Sequence, residues 1–257
     1  MGVSRVDGRC YVGGGVPARA AQVKERLDES LCAAPSGRGT SMVEHTQNQA
    51  NTIRSSRRLR WTTADIAVAA ALGIAAGVVF WGFNFAYMSI SPMLGGLLPG
   101  CASILHAVWY FSGTLAVLIL RKPGSAVFVN LVGCAAEMLI GSSFSFGFVF
   151  LSAALQGLFA ELPFALTRYR VFNLPISILS GMCTAIEYGV YLMLFRYQGV
   201  AFLSPRGIVH MVSEIIGGVL IAGVCSWYLY LAIAKTGVLD RFASGRAVRT
   251  AAAAADR

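Results

Sequence analysis

Apolar residues fill long, nearly uninterrupted runs from Trp61 to about residue 235, with polar residues confined to short gaps between the runs. No Asp, Glu, Lys or Arg occurs between Asp65 and Arg121. Runs of about 20 apolar residues are long enough to cross a bilayer as α-helices. The pattern predicts six spans, at approximately 62–83, 92–120, 125–141, 146–167, 173–195 and 208–234. We therefore expect an all-α integral membrane protein whose six-transmembrane-helix domain covers residues 61–240.

The gaps between the runs contain residues that end helices. Ser91–Pro92 and Pro99–Gly100 flank a stretch that we expect to be irregular, between the first and second spans. The turn Arg121–Gly124 follows the second span, and its proline cannot continue the preceding helix. The longest internal connection is expected at 196–207, before the last span.

The residues before the first span differ in composition from the rest. Residues 1–60 are rich in Gly, Arg and Ala and have no hydrophobic period, which predicts a disordered, basic cytoplasmic tail. Met42 is an alternative start, in which case residues 1–41 would be a mis-assigned extension. Residues 241–257 are expected to form a second cytoplasmic tail.

Charge predicts the orientation of the bundle. If both termini are cytoplasmic, the cytoplasmic flanks contain twelve Lys and Arg residues and the outer loops contain two, Arg196 and Arg206. Loops with an excess of Lys and Arg remain on the cytoplasmic side. We therefore predict a multi-pass plasma-membrane protein with both termini inside. The net charge of +9 favours contact with membrane lipid rather than nucleic acid, because no stacking aromatics interleave with Arg57–Arg60.

Four of the predicted spans each contain a glutamate: Glu137, Glu161, Glu187 and Glu214. A carboxylate at the bilayer centre costs about 2.5–3.5 kcal/mol on insertion scales. Such residues persist where they face a polar cavity, a partner charge or a ligand. The four glutamates therefore indicate that the bundle holds a small polar or cationic molecule.

The predicted orientation places most polar membrane residues in the outer half of the bilayer. His210 and Glu214 are four residues apart at the start of the last span, so they share a helix face. Gln156 lies near mid-membrane and Glu161 deeper, toward the cytoplasm. The candidate substrate-binding residues are Asn84, Tyr87, Glu137, Gln156, Glu161, Glu187, His210, Glu214 and an indole from Trp81 or Trp109.

Each of these candidates has a structural alternative. His210 and Glu214 could satisfy one another at the mouth of the last span. Glu161 could hydrogen-bond across helices or contact the basic end Arg168–Arg170. Trp81 and Trp109 could pack in the core or against lipid instead of stacking on an aromatic ligand.

Small residues recur at helical spacing in the first span. Ala67, Ala71 and Ala75 form one stripe, and a second stripe contains Ala69, Gly73 and Gly77. Small side chains at this spacing let another helix approach closely. The first stripe is our candidate docking face for a separate membrane subunit; packing within the same chain is the alternative.

Motifs of common enzyme classes are missing from the sequence. It contains no GxxxxGK[ST], so it does not hydrolyse ATP through a P-loop, and it has no GxSxG or HExxH. Cys101, Cys134, Cys183 and Cys225 lie in separate spans without a CxxC, as is typical of buried apolar residues. We expect neither a catalytic residue nor a metal site, with an intramembrane enzyme as the alternative.

One series of residues resembles a known family. Lys122-Pro123-Gly124, then Glu137, then Gly141-Ser142, precede the stretch 156–170, which reads QGLFAELPFALTRYR. This order and spacing is similar to that of the YkoE-type substrate-binding (S) components of energy-coupling factor (ECF) transporters. The resemblance covers approximately residues 61–240 and excludes the N-terminal tail.

The resemblance implies a six-helix S component that captures a vitamin from outside, here thiamine or its hydroxymethylpyrimidine precursor. It also implies partners, namely a transmembrane coupling subunit and ATPase subunits, which would use ATP so that this chain needs no cofactor. An S component for another substrate, cobalt or cobalamin-like, is the alternative. The implied ligand fits the residues, because a carboxylate can accept hydrogen bonds from an aminopyrimidine and aromatic rings can attract a cation.

Overall fold

The computed structural model describes residues 4–6, 9–11, 59–141, 145–240 and 242–255. The chain divides into two units, residues 1–57 and 58–257. In the first unit, strands β1 (Ser4–Val6) and β2 (Arg9–Tyr11) pair antiparallel. Residues 1–3, 7–8 and 12–58 of the tail for which disorder is predicted, including Met42, lie outside the described residues.

The second unit is a helical bundle, as predicted. Its α-helices are α1 (Thr63–Leu97), α2 (Ala107–Leu120), α3 (Ser125–Gly141), α4 (Phe146–Leu166), α5 (Leu174–Phe195), α6 (Pro205–Gly217), α7 (Ser226–Lys235) and α8 (Ala243–Ala255). A 3-10 helix at Cys101–His106 leads into α2, and a π-helical segment at Gly218–Cys225 joins α6 to α7. The prediction of an all-α membrane bundle is confirmed for this unit.

Length and composition identify the membrane spans. Five continuous helical segments are long and apolar enough to cross a membrane, at Thr63–Leu97, Cys101–Leu120, Phe146–Leu166, Leu174–Phe195 and Pro205–Lys235. The sixth apolar helix, α3, has 17 residues. Helix α2 is central, because every residue from Ser112 to Leu120 is buried. The chain is a multi-pass membrane protein.

The predicted boundary between the first two spans is wrong. Helix α1 does not end at residue 83 but continues through Pro92 to Leu97, and the next helical segment begins only at Cys101. Proline removes one backbone hydrogen bond, which membrane helices tolerate because nearby groups satisfy the freed carbonyl. The chain breaks instead at Gly100, whose φ of 101° is accessible to glycine without steric cost.

The second small-residue stripe of α1 packs within the chain. Gly73 and Gly77 are buried, and an added Cβ at Gly77 would lie 2.5 Å from the carbonyl oxygen of Gly133 and 2.6 Å from Cβ of Ala136, both in α3. The glycines therefore let the backbones of α1 and α3 approach closely. Ala67, Ala71 and Ala75 are exposed on the other side of α1.

The close approach of α1 and α3 at Gly77 can be tested by substitution. We expect Gly77→Ala to destabilise the protein by about 1–3 kcal/mol, because α1 and α3 must separate to admit the methyl group. Gly82→Ala is the matched control in the same helix, since nothing lies within 4 Å of its added Cβ. Thermal unfolding of both purified variants measures the difference. Equal unfolding midpoints for the two variants would contradict the close approach of α1 and α3.

Candidate functional site

A cavity of about 340 Å³ lies among helices α1 to α5, at one end of the bundle. Its lining comes from late turns of α1, α3 and α5, early turns of α2 and α4, and the loop after α5. The lining residues are Phe80, Tyr87, His106, Trp109, Cys134, Glu137, Phe148, Val149, Ser152, Ala153, Gln156, Tyr188, Leu192, Arg196 and Tyr197. Four of the predicted site residues, Tyr87, Trp109, Glu137 and Gln156, therefore meet in one cavity.

Glu137 supplies the carboxylate of this cavity. Its side chain is only 3% exposed, and its Oε1 accepts a hydrogen bond from Nδ2 of Asn84 at 2.7 Å. This bond places Asn84 next to the cavity, although Asn84 is not one of the lining residues. The Oδ1 atom of Asn84 is buried and has no hydrogen-bond partner among the described residues. Glu137 thus places a hydrogen-bond acceptor in the wall of the cavity, with the Asn84 amide beside it.

Aromatic rings surround the acceptors. Trp109 packs edge to face on Tyr87, with ring centroids 4.9 Å apart and an interplanar angle of 71°. Phe80, Phe148 and Tyr188 line other parts of the wall. Such rings can stack on a flat heterocycle and attract a positive charge through their π faces.

A buried polar network supports one side of the cavity. His106 Nδ1 lies 2.7 Å from Oε2 of Glu214, and the Tyr110 hydroxyl donates to Oε1 of the same carboxylate at 3.1 Å. Because a carboxylate only accepts, Nδ1 of His106 carries the proton. In the neutral imidazole, Nε2 then accepts from the Tyr87 hydroxyl, 3.0 Å away. Glu214, fully buried, thus acts on the cavity through His106 and Tyr87.

His210 makes its hydrogen bonds to residues other than Glu214, the partner that its spacing in the helix suggests. Its Nδ1 lies 2.5 Å from the Ser103 hydroxyl and its Nε2 lies 3.2 Å from the carbonyl oxygen of Gly189. The predicted mutual pair of His210 and Glu214 is replaced by these contacts and by the His106–Glu214 pair. His210 lines a second cavity beside the first.

Besides Asn84, His210 and Glu214, three further candidates are absent from the lining of the first cavity. Trp81 packs edge to face on Phe85, with centroids 5.1 Å apart. Glu187 is 9% exposed, and neither of its carboxylate oxygens has a hydrogen-bond partner among the described residues. Glu161 lies toward the other end of the bundle.

Glu161 makes the cross-helix hydrogen bonds that its structural alternative proposed. Its carboxylate accepts from the backbone N–H groups of Gly124 and Ala126, at 2.8 and 2.7 Å. It also accepts from the Tyr169 hydroxyl at 3.0 Å. Glu161 therefore satisfies orphan amides at the start of α3 and fixes the turn after α4.

Several lining residues were not among the candidates. His106, Tyr188, Tyr197 and Arg196 come from segments that carried no motif. A buried histidine in an otherwise uncharged span was the one available signal for His106, because ionisable groups inside a membrane are costly unless paired.

The chain is similar in sequence to known transport proteins. Residues 64–187 match the family model described as "ABC-type cobalt transport system, permease component". The chain is 28% identical over 190 residues to the putative HMP/thiamine permease protein YkoE of Bacillus subtilis (strain 168), covering 74% of this chain and 92% of that protein. These relatives are described as transport proteins.

A solved structure shares the fold. The crystal structure of an S-component of an ECF transporter matches with a TM-score of 0.68 and 24% sequence identity, covering 77% of this chain and 98% of that chain. The prediction from the 122–170 motif series is therefore confirmed: the chain resembles YkoE-type proteins in sequence over most of its length and has the fold of an ECF S component.

Proposed function

We propose that this chain is the substrate-binding subunit of an ECF-type importer and that its ligand contains an aminopyrimidine, as thiamine and hydroxymethylpyrimidine do. The observation that carries the proposal is the buried Glu137 carboxylate in the wall of an aromatic-lined cavity. The relative that covers most of the chain is named as a permease for these molecules.

The chemistry of the cavity suits this ligand class. The exocyclic amine of an aminopyrimidine donates hydrogen bonds, and the Glu137 carboxylate in the cavity wall is an acceptor. The flat ring can stack on Trp109 or Tyr188, and the thiazolium cation of thiamine gains cation–π attraction from the same rings. A charge-assisted hydrogen bond contributes about 1.5–3 kcal/mol to binding.

The orientation belongs to the same proposal. Arg121, Lys122, Arg168 and Arg170 lie at the end of the bundle opposite the cavity, near the start of α3 and the end of α4. By the positive-inside rule this end faces the cytoplasm, so the cavity lies toward the outside. Both termini would then be cytoplasmic.

Energy for import would come from other subunits. We propose that ATPase subunits hydrolyse ATP and that a transmembrane coupling subunit docks on the Ala67, Ala71 and Ala75 stripe of α1. The stripe is exposed, whereas the neighbouring Ala69, Gly73 and Gly77 are covered by packing within the chain. The exposed stripe is therefore available for a second helix to approach closely.

A cobalt-related substrate is the second candidate, because the matching family model is described as a cobalt permease component. Within the described residues, no group of three or more His, Cys, Asp or Glu side chains has the arrangement needed to hold a metal ion. The aromatic lining of the cavity favours an organic heterocycle.

Binding to the purified full chain tests the proposal. We expect Glu137→Gln to weaken thiamine or hydroxymethylpyrimidine binding tenfold or more, about 1.4 kcal/mol, because it keeps the shape of the side chain and removes its charge. Glu161→Gln is the matched control and should leave the Kd unchanged, because Glu161 lies outside the cavity. Titration calorimetry measures both. Wild-type affinity in Glu137→Gln would mean that the pocket lies elsewhere, and absence of binding by the wild type would refute the substrate class.

A further inference from the structure

A second cavity, of about 320 Å³, adjoins the first and is not needed for the aminopyrimidine. The two cavities share Tyr87 and Tyr197 in their linings, so they lie on either side of these rings. The second cavity is lined by residues late in α1, by the turn from Pro99 to Ser103, and by the start of α6. A ligand that extends past the two tyrosines would enter it.

The lining of the second cavity is more basic than that of the first. Arg206 and His210 line it, and no Asp or Glu is among its described lining residues. Neither Arg206 nor Arg196 has a carboxylate within ion-pair distance in the part of the chain that the structure describes. The first cavity is lined by the Glu137 carboxylate as well as by Arg196.

Two guanidinium groups flank the shared tyrosine. Arg206 lies over the Tyr197 ring, 5.8 Å from its centroid, and Arg196 lines the first cavity beside the same residue. Burial raises the pKa of the Tyr197 phenol and the Glu214 charge raises it further, while both arginines act in the opposite direction. Arg206 therefore places a cation at the Tyr197 ring that separates the two cavities, and Arg196 lines the first cavity on the other side.

Fixed hydrogen-bonding groups complete the wall. The Gly189 carbonyl can only accept, so Nε2 of His210 donates to it, and the neutral Nδ1 accepts from the Ser103 hydroxyl. Ser103 and His210 are each 3% exposed, so their positions are set by packing rather than by solvent. The inner wall is therefore polar but neutral, and Arg206 is the charged donor that the described lining offers to an anion.

We propose that this second cavity is an anion subsite that binds the phosphate group of a phosphate monoester of the aminopyrimidine ligand. The inference rests on the proposed function and extends it: the heterocycle lies against Glu137, and the phosphate lies beside Arg206 at the Tyr87–Tyr197 junction. Guanidinium groups match phosphate oxygens with paired, charge-assisted hydrogen bonds. The site therefore selects a ligand that is an amine donor at one end and an anion at the other.

Calorimetry with two ligands tests the subsite on the purified full chain. Hydroxymethylpyrimidine and its monophosphate differ only in the phosphate. We expect the monophosphate to bind the wild type about tenfold more tightly or better, as expected for a charge-assisted contact. In Arg206→Gln the ratio of the two Kd values should fall toward one. Arg170→Gln is the control, because this exposed arginine follows the end of α4 farthest from Phe148, and it should keep the wild-type ratio.

The outcomes separate the two proposals. The anion subsite is overturned if the wild type binds hydroxymethylpyrimidine more tightly than the monophosphate. It is also overturned if Arg206→Gln retains the full preference for the monophosphate. Either result leaves the proposed function standing. A wild type that binds neither ligand overturns both.

Discussion

Replacing Glu214 by alanine should lower the free energy of unfolding by about 3–5 kcal/mol, a large part of the stability of a typical protein. Glu214 is completely buried and accepts hydrogen bonds from His106 and Tyr110. Its removal leaves two buried donors without an acceptor, each costing about 1–3 kcal/mol, and adds a cavity. The loss also removes the group that fixes the tautomer of His106, and with it the position of the Tyr87 hydroxyl.

Two further variants separate the contribution of the Glu214 charge from that of a single hydrogen bond. Glu214→Gln keeps the shape and one acceptor oxygen, so we expect an intermediate loss. Tyr110→Phe removes a single hydrogen bond and should cost about 1 kcal/mol. Unfolding titrations of the purified proteins in mixed micelles measure all three. An alanine variant as stable as the wild type would contradict the assigned network.

The helices could be predicted from the sequence because the membrane imposes a simple rule. Any run of apolar residues long enough to span the bilayer must hydrogen-bond its own backbone, so composition alone identifies helices such as α4 and α5. The boundary error at Pro92 has the same origin. Proline is a strong stop signal in water, but a membrane helix can continue through it, and α1 ends at Leu97 instead.

Individual glutamates were easier to find than their partners. Spacing within one helix favoured a contact between His210 and Glu214, but Glu214 binds His106, 108 residues away in the chain. Tertiary packing decides which groups meet, and no local pattern records it. Glu161 shows the same limit, since its partners Gly124 and Ala126 are backbone amides, which have no sequence signature.

The exposed face of α1 could be predicted because small residues at a four-residue spacing are informative in membranes. The sequence contains two such stripes, and the first is our candidate docking face although spacing alone gives no reason to prefer it. The structure distinguishes them, because Gly77 lies against Gly133 whereas Ala71 is exposed. Among the described residues the Ala67–Ala75 stripe is exposed, which is why we propose it as the docking face.

Replacing Ala71 by tryptophan should abolish uptake while leaving ligand binding intact. Ala71 is exposed at the middle of the Ala67–Ala75 stripe, so an indole there does not disturb packing within the chain. It would hold a docking helix away from α1, because close approach depends on small side chains. Uptake by cells that express the complete transporter and calorimetry on the purified variant measure the two properties separately.

Ile66→Trp is the matched control for steric bulk. Ile66 is 47% exposed on the same helix, about 140° around the helix axis from Ala71, so its indole would face away from the stripe. We expect it to retain both uptake and binding. A pull-down with the coupling subunit completes the test, since Ala71→Trp should fail to assemble and Ile66→Trp should assemble normally. Normal assembly of Ala71→Trp would show that the coupling subunit docks on another face, because a bulky indole in a close helix–helix contact cannot be accommodated without separating the two backbones.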